Sequence, residues 1–346
     1  MIMTDFLSPE EYNIENVFSG KYYIPIYQRP YSWNTEQVKQ LLNDIDEAYE
    51  NSKNKSNTIS PEKMLLFVGT IFIKIQKNVK NAYTEYDIVD GQQRITTLTL
   101  VLMTLLNHFY QNKADDDVVR DIENFLWKKE NRKRQKNKQI LTLGNIDKSI
   151  MNELFNELYE KHNIIDFAQN KFNFSLNEVE KNLLHNLISI NEFFSNTLIS
   201  ENDYFNYFDF LKYNIRFIAI QVNTDLCKLF SIFESINSKG KPLEEIDLIK
   251  TYIFQNIYES DFDSYLNKWG TLIIETNDNL MDYFTIYIRA NISYYRNSIK
   301  LVNFKSLVEK NLKEYFKSNN IRDTLVNFID DLLKNVNYYK MLRNYR

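Results

Sequence analysis

The segment YDIVDGQQRITTLTLVL, Tyr86 to Leu102, decides how the first part of this chain folds. Tyr86 to Val89 is a short β-prone run, which predicts a strand. Asp90 and Gly91 interrupt it. From Ile95 onward the apolar residues recur at Leu98, Leu102, Leu105 and Phe109, spacings that lay one stripe along a helix. A strand that turns through glycine into a helix turns backbone N–H groups outward at the helix N-terminus. Those groups suit an anion, most often a phosphate.

Working outward, Leu65 to Ile75 is β-rich and apolar with Gly69 inside it, the pattern of a buried strand with a bulge or a close backbone approach. Tyr22 to Ile24 reads as a short strand running into Pro25. Asn34 to Tyr49 reads as a helix, with Asn34 as its cap and Gln37 in the capping-box position. Downstream, residues 115 to 211 read as helical with charged breaks. Arg216 to Val222 is a strand, Asp225 to Ile236 a helix, and another helix runs from about Leu243 to Tyr258. The remainder to Arg346 again reads helical. The mixture predicts an α+β fold: a small mixed sheet with helices, followed by a large, mostly helical region. No internal repeat and no Gly/Ser or Pro linker marks a clean boundary.

Composition narrows the function classes. The formal net charge is -4 and the isoelectric point about 5.6, so the chain lacks the overall basic signature of a nucleic-acid binder. Contact with DNA must come from a local patch. Lys128 to Gln139 offers one, with seven Lys/Arg against one Glu; phosphate contacts there would weaken with salt. The plain alternative is a solvated charged loop. Cys227 is the single cysteine, so there is no disulfide framework, and a reducing cytoplasm is the expected compartment. Met1 to Glu15 has no basic region followed by an apolar core, and no apolar run is long enough to span a membrane. His108, His162 and His185 are scattered, which excludes a Cys/His zinc cluster and an H-N-H nuclease motif. His108, beside Phe109, and Cys227 read as packed structural residues.

Glycine and proline locate the chemistry. Of six Gly and five Pro, six fall in four short segments: Pro25 and Pro30, Gly69, Gly91, and Gly240 with Pro242. In the segment Asp90 to Arg94, Arg94 adds a planar fork of donors that matches phosphate oxygens. Gln92 and Gln93 could hold a nucleobase, a ribose or an attacking water. Asp90 could take Mg²⁺ through its oxygens. The plain alternative makes Asp90 a helix cap, Gly91 the turn, and Gln92, Gln93 and Arg94 first-turn surface residues. In IPIYQRPYSW, residues 24 to 33, two prolines hold an extended stretch around Tyr27, Gln28 and Arg29, and Tyr31 and Trp33 follow. An arginine among aromatics binds phosphate and stacks on a base; alternatively the aromatics plug the core. In FESINSKGKPL, residues 233 to 243, Asn237 to Gly240 ends a helix, and Lys239, Lys241 and Lys250 place cations near the turn. A C-cap with solvated lysines is the plain alternative.

Taken together, these segments resemble the GmrSD N-terminal domain family, whose fold is similar to the ParB/sulfiredoxin-like nucleotide-binding fold. The matching stretches are IPIYQRPYSW (24–33), FVGTIFI (67–73), YDIVDGQQRITTLTLVL (86–102), LTLGNIDKSI (141–150) and FESINSKGKPLEEIDLIK (233–250). The resemblance implies a ParB/sulfiredoxin-like core made of residues 1–112 and 212–258, a helical insertion at 113–211 and a helical C-terminal extension at 259–346. It makes Asp90, Gly91, Gln92, Gln93 and Arg94 the nucleotide-handling motif, with Asp90 as the metal ligand. It carries Tyr27, Gln28 and Arg29 over as the second segment of the site, and Asn237 and Lys239 from the 233–243 turn are taken as further candidates for nucleotide binding. The implied cofactors are an NTP (ATP, GTP or UTP) and Mg²⁺.

By the same resemblance, the expected function is a nucleotide-binding or NTP-hydrolysing sensor in a modification-dependent DNA restriction system. Its partners would be DNA, modified or not, and an H-N-H nuclease domain or subunit, since this chain has no such motif; a homodimer is left open. Two other functions stay in view: a non-catalytic reader of modified DNA, and a ParB-like direct nuclease.

Overall fold

The computed structural model describes residues 7–25, 28, 30–53, 65–76, 83–113, 116–128, 138–143, 148–222, 245–257, 261–276, 279–292 and 299–344. They form two compact units, Met1–Asn223 and Thr224–Arg346.

The first unit is built on a mixed sheet. Its strands are β1 (Leu7–Asn13), β2 (Lys21–Ile24), β3 (Leu66–Ile75), β4 (Glu85–Asp90), β7 (Leu141–Leu143) and β8 (Ile215–Val222), in the order β1-β8-β3-β4-β2-β7. β8 runs parallel to β3 and antiparallel to β1; β4 runs antiparallel to β3 and parallel to β2, which also pairs parallel with β7. β5 (Trp127–Lys128) and β6 (Lys138–Gln139) form a separate short ladder. The helices are α1 (Ile14–Val17), α2 (Thr35–Ser52), α3 (Gln92–Asn112), α4 (Asp116–Leu126), α5 (Lys148–Lys161), α6 (Ile164–Lys171), α7 (Glu178–Thr197) and α8 (Glu201–Asn214).

The architecture is α+β, as the sequence predicts, and β2, α2, β3, β4, α3 and β8 fall where its periodicity puts them. The expected bulge is present: the β3–β8 register shifts between Phe67 and Gly69. β1, β7 and the β5–β6 ladder were not foreseen. β5, β6 and β7 are two or three residues long, too short for alternation to show.

α3 differs from its expected single apolar stripe. It is buried from Ile95 through Asn107, on every side. Its neighbours are α4, α6 and α7, and it shares one core cluster with Ile71, Ile73 and Ile88 of the sheet. A helix so enclosed must satisfy its polar side chains internally. Thr97, Thr99 and Thr104 do so by donating to the carbonyls of Gln93, Ile95 and Leu100, four residues back, at 2.8–2.9 Å.

The second unit is helical, with α9 (Glu245–Gln255), α10 (Phe262–Glu275), α11 (Leu280–Asn291), α12 (Leu301–Leu307) and α13 (Ile321–Asn344). α12 passes into a π-helical turn at Val308–Leu312. Phe284 packs edge-on against Trp269 and Phe328. Tyrosine hydroxyls tie α13 to its neighbours: Tyr265 donates to Asp330, and Tyr283 to the Leu332 carbonyl. Among the described residues, no helix is long and apolar enough to cross a membrane.

Leu102 and Asn34 test two sources of stability. Leu102→Ala, at a closed core position, is expected to cost about 2–5 kcal/mol in urea unfolding. Asn34→Ala, which removes a cap, is expected to cost about 1 kcal/mol.

Candidate functional site

The site begins with a turn that needs glycine. Gly91 is the N-cap of α3 at φ 92°, a left-handed conformation, and it gives the helix no side-chain cap. Elsewhere in this unit the chain caps freely. α1, α2, α7 and α8 each open with a capping box, on Asn13, Asn34, Asn177 and Ser200. At α3 the N-cap is itself a glycine, which brings no side chain of its own to the first-turn amides. Gln92 and Gln93 are not surface residues: each is 6% exposed.

Gln93 explains its own burial. Its Oε1 accepts from the backbone N–H groups of Ser32 (2.9 Å) and Trp33 (3.2 Å), and its Nε2 donates to the Pro30 carbonyl (3.1 Å). From the other side, Gln28 donates through Nε2 to the Val89 carbonyl at 2.9 Å, one residue before Asp90. The two proline- and glycine-marked segments, some sixty residues apart in sequence, are therefore laced together.

Arg94 lies half-buried over a second special glycine. Gly69 has φ 130°, and a Cβ there would stand 2.9 Å from Arg94 Cζ. Arg94 Nη1 reaches the Thr70 carbonyl at the long distance of 3.4 Å. Gly69 thus provides the room in which the guanidinium rests. Asp90 ends β4, opposite Phe72 where the β3–β4 register shifts.

Behind the loop runs a buried polar chain. Tyr31 Oη lies 2.8 Å from Thr97 Oγ1, and Thr97 donates to the Gln93 carbonyl. Burial pushes the Tyr31 hydroxyl above the usual tyrosine range, and its hydrogen bonds offset this only in part. Asn186, from α7, donates to both Tyr31 Oη and the Trp33 carbonyl. Sequence reasoning passed over Asn186. Its signal was a carboxamide among the apolar positions Leu183, Leu187 and Ile190.

The other sequence-selected residues fall elsewhere. Tyr27, Arg29, Asn237 and Lys239 lie outside the described residues, as does Cys227. His108 stacks on Tyr204 with centroids 3.4 Å apart, a packing role. Of the basic segment, Lys128 is described: its Nζ donates to the Phe18 and Asn124 carbonyls, and burial pulls its pKa down to about 8. Among the described residues, no group of three or more His, Cys, Asp or Glu side chains could hold a metal ion.

A strand-to-helix turn through a left-handed glycine, an arginine resting on a second glycine and a loop laced to the turn through Gln93 and Val89 form the arrangement on which the family comparison bears. The family model for the GmrSD restriction endonuclease N-terminal domain matches residues 12–254, well over half of the chain. The chain belongs to this family. It is accordingly a component of a restriction system, whose substrate is DNA. A search of curated proteins returned no significant match. The GmrSD match takes in β2, β3, β4, α3 and α7, hence every residue of the polar lacing.

Gly69→Ala forces a side chain into a left-handed position and against Arg94. It is expected to destabilise the first unit by about 1–3 kcal/mol in chemical denaturation. Arg94→Ala alone should cost less than 1 kcal/mol, and Gly69→Ala in that background should be milder than in the wild type. Equal cost of Gly69→Ala in both backgrounds would show that the two residues do not share this space.

Proposed function

We propose that this GmrSD-family chain is the nucleotide-binding, NTP-hydrolysing sensor of its restriction system, with the triphosphate held at the N-terminus of α3. One observation carries this: the first turn of α3 starts on a left-handed glycine that has no side chain to cap it, and Arg94 belongs to that turn with its guanidinium lying over Gly69. Partial positive charge from the helix and the fixed charge of Arg94 act on the same small volume. Gln28 and the stretch from Pro30 to Trp33 are bonded to Val89 and Gln93, and we assign Arg29 as a second fork of donors.

The residues fit a triphosphate better than a free metal ion. Asp90 is the carboxylate at hand, and Mg²⁺ is commonly held by one or two carboxylates together with substrate phosphates. Mg²⁺ would thus be shared between Asp90 and the nucleotide, and when bound would neutralise charge on the phosphate oxygens. Gln92 or Asp90 orients the attacking water. Gln93, with both ends of its amide engaged by the loop, acts by holding that loop in register. An H-N-H domain or subunit would cut the DNA.

DNA contact is assigned to the basic stretch between β5 and β6, which supplies charge that the chain as a whole lacks. A non-catalytic reader of modified DNA is the second reading, favoured by the engagement of Gln93 in structure.

Phosphate release from ATP, GTP and UTP, with and without modified DNA, separates the two. Wild type should release phosphate; Arg94→Ala and Asp90→Ala should reduce release by about 100-fold or more while the protein stays folded. Equal release from all three proteins removes the assignment. Binding of modified DNA with no turnover of any nucleotide favours the reader.

A further inference from the structure

Asn186 is fully buried at 0% exposure, among Leu183, Leu187 and Ile190 on a helix face whose other buried polar residue is Ser189. Its Nδ2 donates to Tyr31 Oη at 3.0 Å and to the Trp33 carbonyl at 2.8 Å. A carbonyl only accepts, so Nδ2 must face Trp33 and the orientation of the amide is set. Its Oδ1 is buried with no hydrogen-bond partner among the described residues. Burying an amide with one end unmatched is costly, and leucine would fill such a place more cheaply. The compensating feature is the pair of bonds to the loop.

Those bonds continue in one direction. Asn186 donates to Tyr31 Oη, so the Tyr31 proton is left for Thr97 Oγ1, and the Thr97 proton goes to the Gln93 carbonyl. Gln93 in turn accepts from the amides of Ser32 and Trp33. The ring of contacts closes on the loop from which it started. It joins α7, whose Asn186 is 153 to 155 residues from the loop in sequence, to the first turn of α3.

We propose that Asn186 is a positioning residue for the phosphate site: through Tyr31 and Trp33 it sets where the segment from Pro30 to Trp33 stands against the N-terminus of α3. The proposal rests on the nucleotide-binding function set out above. Asn186 is assigned no contact with the nucleotide; it acts through the loop. It also makes the helical region of the first unit part of the site, since a shift of α7 relative to α3 would move Tyr31 and Trp33 together.

The test uses the full chain and three variants. Asn186→Asp keeps the shape but loses both donated bonds at neutral pH. Tyr31→Phe breaks the chain at its next link and adds no charge to the core. Leu187→Ala opens a cavity on the same helix outside the polar chain. Two quantities are read: amide hydrogen exchange of Ser32 and Trp33, and affinity for fluorescent ATP, GTP and UTP analogues.

Asn186→Asp and Tyr31→Phe should each speed exchange at Ser32 and Trp33 by tenfold or more, and weaken nucleotide binding by about tenfold, the scale of one or two lost buried hydrogen bonds. Leu187→Ala should lower the melting temperature yet leave both quantities within about twofold of wild type. Unchanged exchange or unchanged affinity in Tyr31→Phe and in Asn186→Asp overturns the proposal. So does an equal effect from Leu187→Ala, which would make the network a matter of general stability. Should wild type bind none of the three nucleotides, the phosphate assignment fails, while the exchange measurements still decide whether Asn186 sets the loop.

Discussion

One glutamine side chain joins two parts of the candidate site. Gln93 offers a carbonyl oxygen to two backbone N–H groups and an amide nitrogen to a backbone carbonyl, all on the stretch from Pro30 to Trp33. A primary amide can accept and donate at once, and its planarity fixes the directions of both. Buried backbone groups must find partners. Through Gln93, a proline-held loop with little regular structure of its own finds them on α3. Remove this constraint and Ser32 and Trp33 must seek water, while the loop loses its register against the helix.

The rest of the first unit serves that junction. The sheet brings Val89 to the end of β4, where Gln28 reaches its carbonyl. Gly91 lets the chain leave the strand and enter α3 through a left-handed turn, and Gly69 leaves space for Arg94. α3 is enclosed on all sides from Ile95 to Asn107, so its first turn is continuous with a long buried shaft. Rigid placement of the first turn follows from that depth of burial, because a shift of it would disturb packing along the helix.

Much of this was legible beforehand. Strand, turn and helix around Gly91 follow from β-prone residues giving way to helical spacing. Gly69 stood out as a glycine inside a strand, although nothing local said that Arg94 would lie over it. The matching of the 24–33 and 86–102 segments to one family joined them on paper. The hydrogen bonds that join them in space depend on side chains reaching across some sixty residues of chain. The single stripe expected for α3 under-described it, since Leu100, Val101, Met103 and Leu106 are buried as well. Periodicity reports one covered face; enclosure on all faces depends on how many neighbours the fold supplies.

The sequence by itself determined the elements, the α+β class, the family and the segment around Asp90 and Arg94, because these depend on residues near one another in the chain. Tertiary structure alone decided that Gln93 is a strap rather than a surface group, that Lys128 turns inward to the Phe18 and Asn124 carbonyls, and that Asn186 belongs with Tyr31 and Trp33. Hydrogen bonds between distant segments leave no periodic trace. They form only after packing has brought donor and acceptor to within about 3 Å.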